Sequence, residues 1–302
     1  GFNTSEESIA PPNGVPIGAL QEQVLPEAAH VIGPPQKEEL IVGDIVDGEL
    51  VADAMQNIDG CFHLAAVSSV QKSNEEWAAT HRVNLSGSIN VFDAAREGKV
   101  PVVYASSAAV YGDNADLPLR ESASLRPLTA YGADKLGNEL HARVASMVHG
   151  VPTTGMRFFN VYGPRQDPSS PYSGVISVFA DRLLKHDPLI IHGDGEQTRD
   201  FVFVEDVVMF LLSAMERSGS QPSVFNVCTG KSTSINQLAK VMMSVTGANV
   251  PVSYQASRAG DIRASVGQSS LSSTLLGVQA QTDLASGLRE LISFTQEQSK
   301  AA

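Results

Sequence analysis

Tyr131-Gly-Ala-Asp-Lys135 sets a phenol and an ammonium four residues apart, and on a helix such positions share one face. A free tyrosine titrates near 10 and is a poor base at neutral pH. A lysine charge about 4 Å away, at an effective dielectric of about 20, favours the phenolate by about 4 kcal/mol. Burial works against part of that shift. The pair is expected to form a general base with its pKa lowered toward neutrality by Lys135. By spacing alone it is more often a packing pair on a helix surface. Ser106-Ser107, about 25 residues upstream, closes an apolar strand. Ligands of open α/β sheets bind at the carboxyl ends of strands, so a hydroxyl there can bond the oxygen that the tyrosine deprotonates. The other reading of Ser107 is a turn or cap serine.

These residues need a scaffold, and the pattern supplies one from residue 39 onward. Short strands are expected at 40–42, 61–64, 100–105 and 153–158, with helices at 48–56, 74–96 and 130–148. Continuous apolar strands alternating with helices imply βαβ units and a parallel sheet covered on both faces. The expected fold is α/β: a Rossmann-like doubly wound parallel sheet with a smaller mixed α/β substrate-binding domain. Residues 39–163 form the first part and 164–302 the second, partly interleaved with the sheet. In the second part, helices are expected near 175–185, 205–216, 234–245 and 283–297, with strands near 189–192 and 201–203. Residues 1–38 carry six prolines, show no period, and read as an atypical, loop-like segment.

The formal net charge of -12 opposes binding to nucleic acid or anionic membranes. No apolar run approaches the roughly 18 residues needed to cross a bilayer, and no cleavable leader is recognisable. A soluble, cytoplasmic protein is expected. Cys61 and Cys228 are the only cysteines and read as small apolar residues on buried strands rather than a disulfide. No metal site is expected.

At the catalytic residues the sequence resembles the extended short-chain dehydrogenase/reductase family of NAD-dependent epimerases and dehydratases, and within it the UDP-glucose 4-epimerases. The resemblance runs through Gly43-Asp44-Ile45, His63-Leu64-Ala65-Ala66, Val83-Asn84 and Tyr104 to Gly112. It continues with Tyr131-x-x-x-Lys135, Arg157-Phe-Phe-Asn-Val-Tyr-Gly-Pro164, Gly193 to Asp200, and Arg258-x-Gly-Asp261. It implies Ser107, Tyr131 and Lys135 as the catalytic set and NAD as cofactor. Asp44 and Ile45 would lie at the adenine. Leu64, Ala65, Ala66, Asn84, Ser106 and Phe158 would line the cofactor side, and Lys135 would reach the nicotinamide ribose. Asn160 and Val175 would meet the UDP-sugar, with Asp261 on the nucleoside side. Arg199 and Arg258 would clamp the pyrophosphate, a task suited to a planar, permanently charged donor fork. Taken singly, Asp44 can cap a turn, Asn84 can act inside its helix, and an arginine can be a solvated surface group.

Relatives of this kind share removal of the 4-hydroxyl proton and of the C4 hydride. Dehydratases add an acidic pair after the strand-end serine. Here Ala108 and Ala109 stand there and transfer no proton. The implied reaction is 4-epimerisation of a UDP-hexose through a 4-keto sugar, with N-acetylated sugars an open case and 167–175 lining the mouth. Another nucleotide-sugar oxidoreductase or dehydratase, or a cofactor-deficient sugar-nucleotide binder, are the alternatives. The family's glycine-rich strand-to-helix turn is not found in this sequence. A missing first βαβ piece, a divergent start, or a variant that binds NAD poorly would each explain that. The Gly1 start and the change near residue 38 favour the first. By the same resemblance, the helices at 74–96 and 130–148 imply a homodimer.

Overall fold

The computed structural model describes residues 39–166, 174–219, 221, 223–257 and 262–301. The expectations for residues 1–38 lie outside the described residues. Helix α1 (Gly48–Ala54) begins where the Asp47 carboxylate accepts from the Leu50 amide. Strand β1 (Cys61–His63) leads into α2 (Val70–Glu75), α3 (Trp77–His81), a π-turn at 82–87 and α4 (Ser88–Ala94). Then come β2 (Val102–Ser107), a short 3-10 turn at 108–111, α5 (Ala130–His149) and β3 (Thr153–Phe158). The chain continues through β4 (Asn160–Tyr162), α6 (Val175–Leu184), β5 (Leu189–His192), β6 (Thr198–Arg199) and β7 (Phe201–Phe203). Next are α7 (Val204–Glu216), β8 (Ser223–Val227), β9 (Thr233–Ser234) and α8 (Ile235–Thr246). β10 (Val252–Gln255), α9 (Ser270–Leu275) and α10 (Leu284–Ala301) complete it.

The central sheet runs β1-β2-β3-β8 and is parallel throughout. Alternation along a strand sends neighbours to opposite faces. Val102 and Tyr104 therefore pack with Val91, Phe92 and Ala142 on the α4–α5 side. Val103 packs with Val207, Phe210 and Ala214 of α7 on the other. Burying both faces is what makes these strands continuous apolar runs. A separate core lies among α6, α8, α10 and β5, built on Phe179, Leu183, Leu189, Leu238 and Leu288.

Two sequence expectations are corrected. Leu40-Ile41-Val42 is not a buried strand: it lies outside any strand, and the three residues are 60, 44 and 70% exposed. β1 is the last strand of the described sheet on that side, so no described neighbour offers Leu40–Val42 backbone partners. The stretch 74–96 is not one helix. Glu76 leaves helical geometry (φ −110°, ψ 48°), and the Asn74 carboxamide turns away to accept from the Ala130 amide at 3.0 Å. The π-turn adds a second irregularity, a feature often found at functional positions. Cys61 is half-buried and Cys228 buried, and both are free thiols.

Candidate active site

The site forms where the carboxyl end of β2 meets the start of α5. Thr129 caps α5, its hydroxyl accepting from the Gly132 amide at 3.0 Å. Gly132 allows the approach: a Cβ there would stand 2.7 Å from the Ala109 carbonyl oxygen, closer than real contacts permit. Beyond the strand end, Ser107 Oγ accepts from the Ala109 amide at 3.1 Å. These local bonds bring α5 against the 3-10 turn and set Tyr131 beside Ser107. The Ser107 side chain is the hydrogen-bonding neighbour that acts on the Tyr131 hydroxyl.

Lys135 follows one turn later. It is 2% exposed, its Nζ donates to the Ala105 carbonyl at 2.9 Å, and it stands 5.7 Å from the centre of the Tyr131 ring. Burial pulls the ammonium down to about 8, with neighbouring Asp134 opposing. For Tyr131 the expectation is corrected. Burial raises the phenol above its ordinary value, and only the Ser107 hydrogen bond pulls it down. A buried phenolate must be stabilised against desolvation before a neighbouring cation can set its ionisation.

The remaining expected residues divide by environment. Ser106, adjacent to Ser107, is buried, and its hydroxyl donates to Glu139 Oε1 at 2.5 Å. Asn84 is fully buried and joins the Val67 backbone on both sides: Oδ1 accepts from the amide at 2.7 Å, and Nδ2 donates to the carbonyl at 3.1 Å. Asn84 thus holds the loop carrying Ala65 and Ala66, both half-buried after β1. Leu64 is 48% exposed. The exposed Asp44 carboxylate accepts from the Val46 amide at 3.1 Å, closing its own turn. Ile45 is half-buried, its carbonyl accepting from Asn90 Nδ2 at 3.0 Å. Phe158 pairs with Ser107 across the sheet.

On the second half of the site, Asn160 is exposed at the start of β4, and its amide donates to the Asp200 carbonyl at 2.9 Å. Val175 opens α6, half-buried. Arg199 is half-buried, and its Nη1 donates to the carbonyls of Thr198 and Ile262 at 2.8 and 2.6 Å. Arg258, Asp261 and loop residues 167–173 lie outside the described residues.

Three buried groups near the site were not anticipated. Glu139 on α5 pairs with Arg157 of β3 at 2.7 Å. His63 on β1 contacts Ser88 Oγ through Nε2 at 2.8 Å. Burial, aided by the Lys135 charge, lowers the imidazole to about 3. His63 and Arg157 open two of the matched stretches without an expected role, and Glu139 follows Lys135 by four residues, the same spacing that joins Tyr131 to Lys135.

A parallel α/β sheet with a serine at a strand end, beside a tyrosine that precedes a buried lysine by one turn, defines a Rossmann-type protein of the short-chain dehydrogenase/reductase class. The model of the NAD dependent epimerase/dehydratase family matches residues 17–228, and the chain belongs to that family. It is 33% identical to a UDP-glucose 4-epimerase of Mycolicibacterium smegmatis, with 91% of this chain and 88% of the relative covered. A UDP-glucose 4-epimerase from Thermotoga maritima, solved with UDP-glucose, superposes with a TM-score of 0.82 at 32% identity, covering 85% of this chain and 84% of the other. A UDP-glucose-4-epimerase from Stenotrophomonas maltophila, solved with NAD and formylated UDP-arabinopyranose, gives 0.81 at 29% identity, covering 87% and 84%.

Proposed function

We propose that this protein interconverts the C4 epimers of a UDP-hexose, with NAD as cofactor. The observation that carries this reading is the placement of Tyr131 beside Ser107 and the buried Lys135. The Tyr131 oxygen takes the proton of the sugar 4-hydroxyl and returns it at the end. Ser107 Oγ holds the same sugar oxygen. Lys135 stabilises the phenolate during that exchange and keeps its own orientation through Ala105. Bound NAD supplies a hydride acceptor and donor at C4, so no external reductant is needed.

The residues fit the nicotinamide end of that cofactor. An ammonium carries three donors, and the Ala105 carbonyl takes one, which leaves donors suited to a ribose diol. Ala65 and Ala66 offer little side-chain bulk at the end of β1. Asp44 and Ile45 are assigned to the adenine side, with Leu64, Asn84, Ser106 and Phe158 supporting the groove. On the substrate side we assign Asn160, Val175, Arg199, Arg258 and Asp261 to the UDP-sugar. Firm hold on the pyrophosphate with loose hold on the hexose lets the keto sugar turn over between hydride transfers. Ala108 and Ala109, in the 3-10 turn after β2, provide no acid for dehydration.

We also propose a cytoplasmic homodimer. Leu140, Val144, Met147 and Val148 form one apolar stripe on α5 and are 59, 48, 56 and 68% exposed, a face suited to a partner helix. The deciding experiment for the activity mixes the protein with NAD and UDP-galactose and follows UDP-glucose by proton NMR. No conversion sinks the proposal. A second reading is favoured by one observation: no glycine-rich strand-to-helix turn occurs among the described residues. On that reading the chain binds UDP-sugars without turning them over. Calorimetry that finds UDP-sugar binding and no NAD binding selects it.

A further inference from the structure

A buried polar network lies directly behind the site, and of its members the proposed function uses only Ser106. Glu139 is 8% and Arg157 4% exposed. Arg157 grips the carboxylate with two donors: Nε donates to Oε1 at 2.8 Å and Nη2 to Oε2 at 2.7 Å. Arg157 Nη1 also donates to the Tyr111 hydroxyl at 2.8 Å and to the Glu121 carbonyl at 3.0 Å. The Tyr111 hydroxyl in turn donates to Asn226 Oδ1 at 2.7 Å. The third bond to Glu139 comes from Ser106 Oγ at 2.5 Å.

Stability alone explains such a network poorly. A buried ion pair must overcome the desolvation of both charges, and apolar replacements of equal volume are often no less stable. What the pair does achieve here is geometric. Two successive residues of β2 are tied to two successive turns of α5: Ala105 by Lys135 and Ser106 by Glu139. The next residue is Ser107, the neighbour that acts on the Tyr131 hydroxyl. Sliding the helix by one residue would move Tyr131 by about 1.5 Å along the axis. Misplacement by about 1 Å in a reacting group costs on the order of a hundredfold in rate.

We propose that Glu139, clamped by Arg157, is a positioning residue that acts through Ser106 to hold the end of β2 in the register joining Ser107 to Tyr131. Its kinetic consequence rests on the epimerase reading, while its structural consequence does not. The test uses the full chain with ring-labelled tyrosine and reads the Tyr131 Cζ resonance, assigned with Tyr131→Phe. Ser107→Ala marks where that resonance lies when the Ser107 hydroxyl is gone. In Ser106→Ala the resonance is expected to move toward that mark, and in Ser106→Thr, which keeps the hydroxyl, to return to the wild-type position. At saturating NAD, kcat is expected to fall on the order of tenfold in Ser106→Ala, with KM for the UDP-sugar changed less than about twofold, since Ser106 is assigned to the cofactor side and not to the sugar. A wild-type resonance in Ser106→Ala overturns the inference. Should that variant not fold, Ser106→Cys, similar in size and a weaker donor, takes its place under the same two outcomes. A wild-type protein that fails to epimerise overturns the functional reading, and the resonance still decides this one.

Discussion

Lys135 Nζ donates to the carbonyl of Ala105 at 2.9 Å, tying the lysine of the site to the strand that ends in Ser107. That bond fixes where the ammonium sits relative to Tyr131, and the chemistry depends on this placement more than on burial, which by itself raises the phenol. Charge near the phenolate must then act during the exchange of the proton, when the negative oxygen forms.

Removing the phenol hydroxyl tests that directly. Tyr131→Phe keeps the ring and its packing, and epimerisation is expected to fall by about 10²–10⁴-fold, the usual contribution of a positioned acid–base. NMR conversion of UDP-galactose measures it. Activity that survives the change removes Tyr131 from the mechanism.

Lys135 gives a stability signature. Its folded value of about 8 lies below the ordinary 10.5, so between those values the unfolded chain binds more protons than the folded one. Stability from this group therefore rises with pH through that window. Lys135→Met removes the titration. Urea melts are expected to show the variant gaining on the wild type at pH 7, with the gap closing toward pH 10. A gap independent of pH contradicts the burial argument.

His63 works in the acid range. Its imidazole is held neutral down to about 3 against an ordinary 6.5. Below pH 6.5 the unfolded chain takes up the proton first, so stability falls as pH drops toward 3. His63→Asn is expected to flatten the slope of stability between pH 6.5 and 4. Parallel slopes for the two proteins count against it.

Gly132 tests the fit of α5 against the turn after Ser107. A Cβ at this position meets backbone, the Ala109 carbonyl at 2.7 Å, which cannot swing aside as a side chain can. Gly132→Ala is expected to destabilise by about 1–3 kcal/mol and to lower kcat with the fold retained by circular dichroism. A variant with wild-type stability and rate means the turn yields freely.

The apolar stripe of α5 gives a test of assembly. Val144→Arg places a charge in the centre of that stripe, and sedimentation is expected to change from dimer to monomer at micromolar concentration. A wild-type chain that is already monomeric leaves the stripe without the proposed partner.

The sequence by itself determined the spacing of the site and most of the scaffold. Tyr131 and Lys135 share a face because a helix repeats every 3.6 residues, and β1, β2, β3 and α5 follow from local periodicity within a residue or two of expectation. Tertiary structure decided what local pattern cannot contain. Leu40–Val42 looks like a strand, but a strand needs a neighbour to bond, and none is described beside it. The stretch 74–96 looks like one helix, but Asn74 is drawn off to cap α5. Glu139 meets Arg157 and Ser106 only because α5, β3 and β2 pack together. The upward pull on Tyr131 likewise arises from everything that surrounds it, since burial is a sum over neighbours distant in the chain, and no spacing along the sequence encodes that sum.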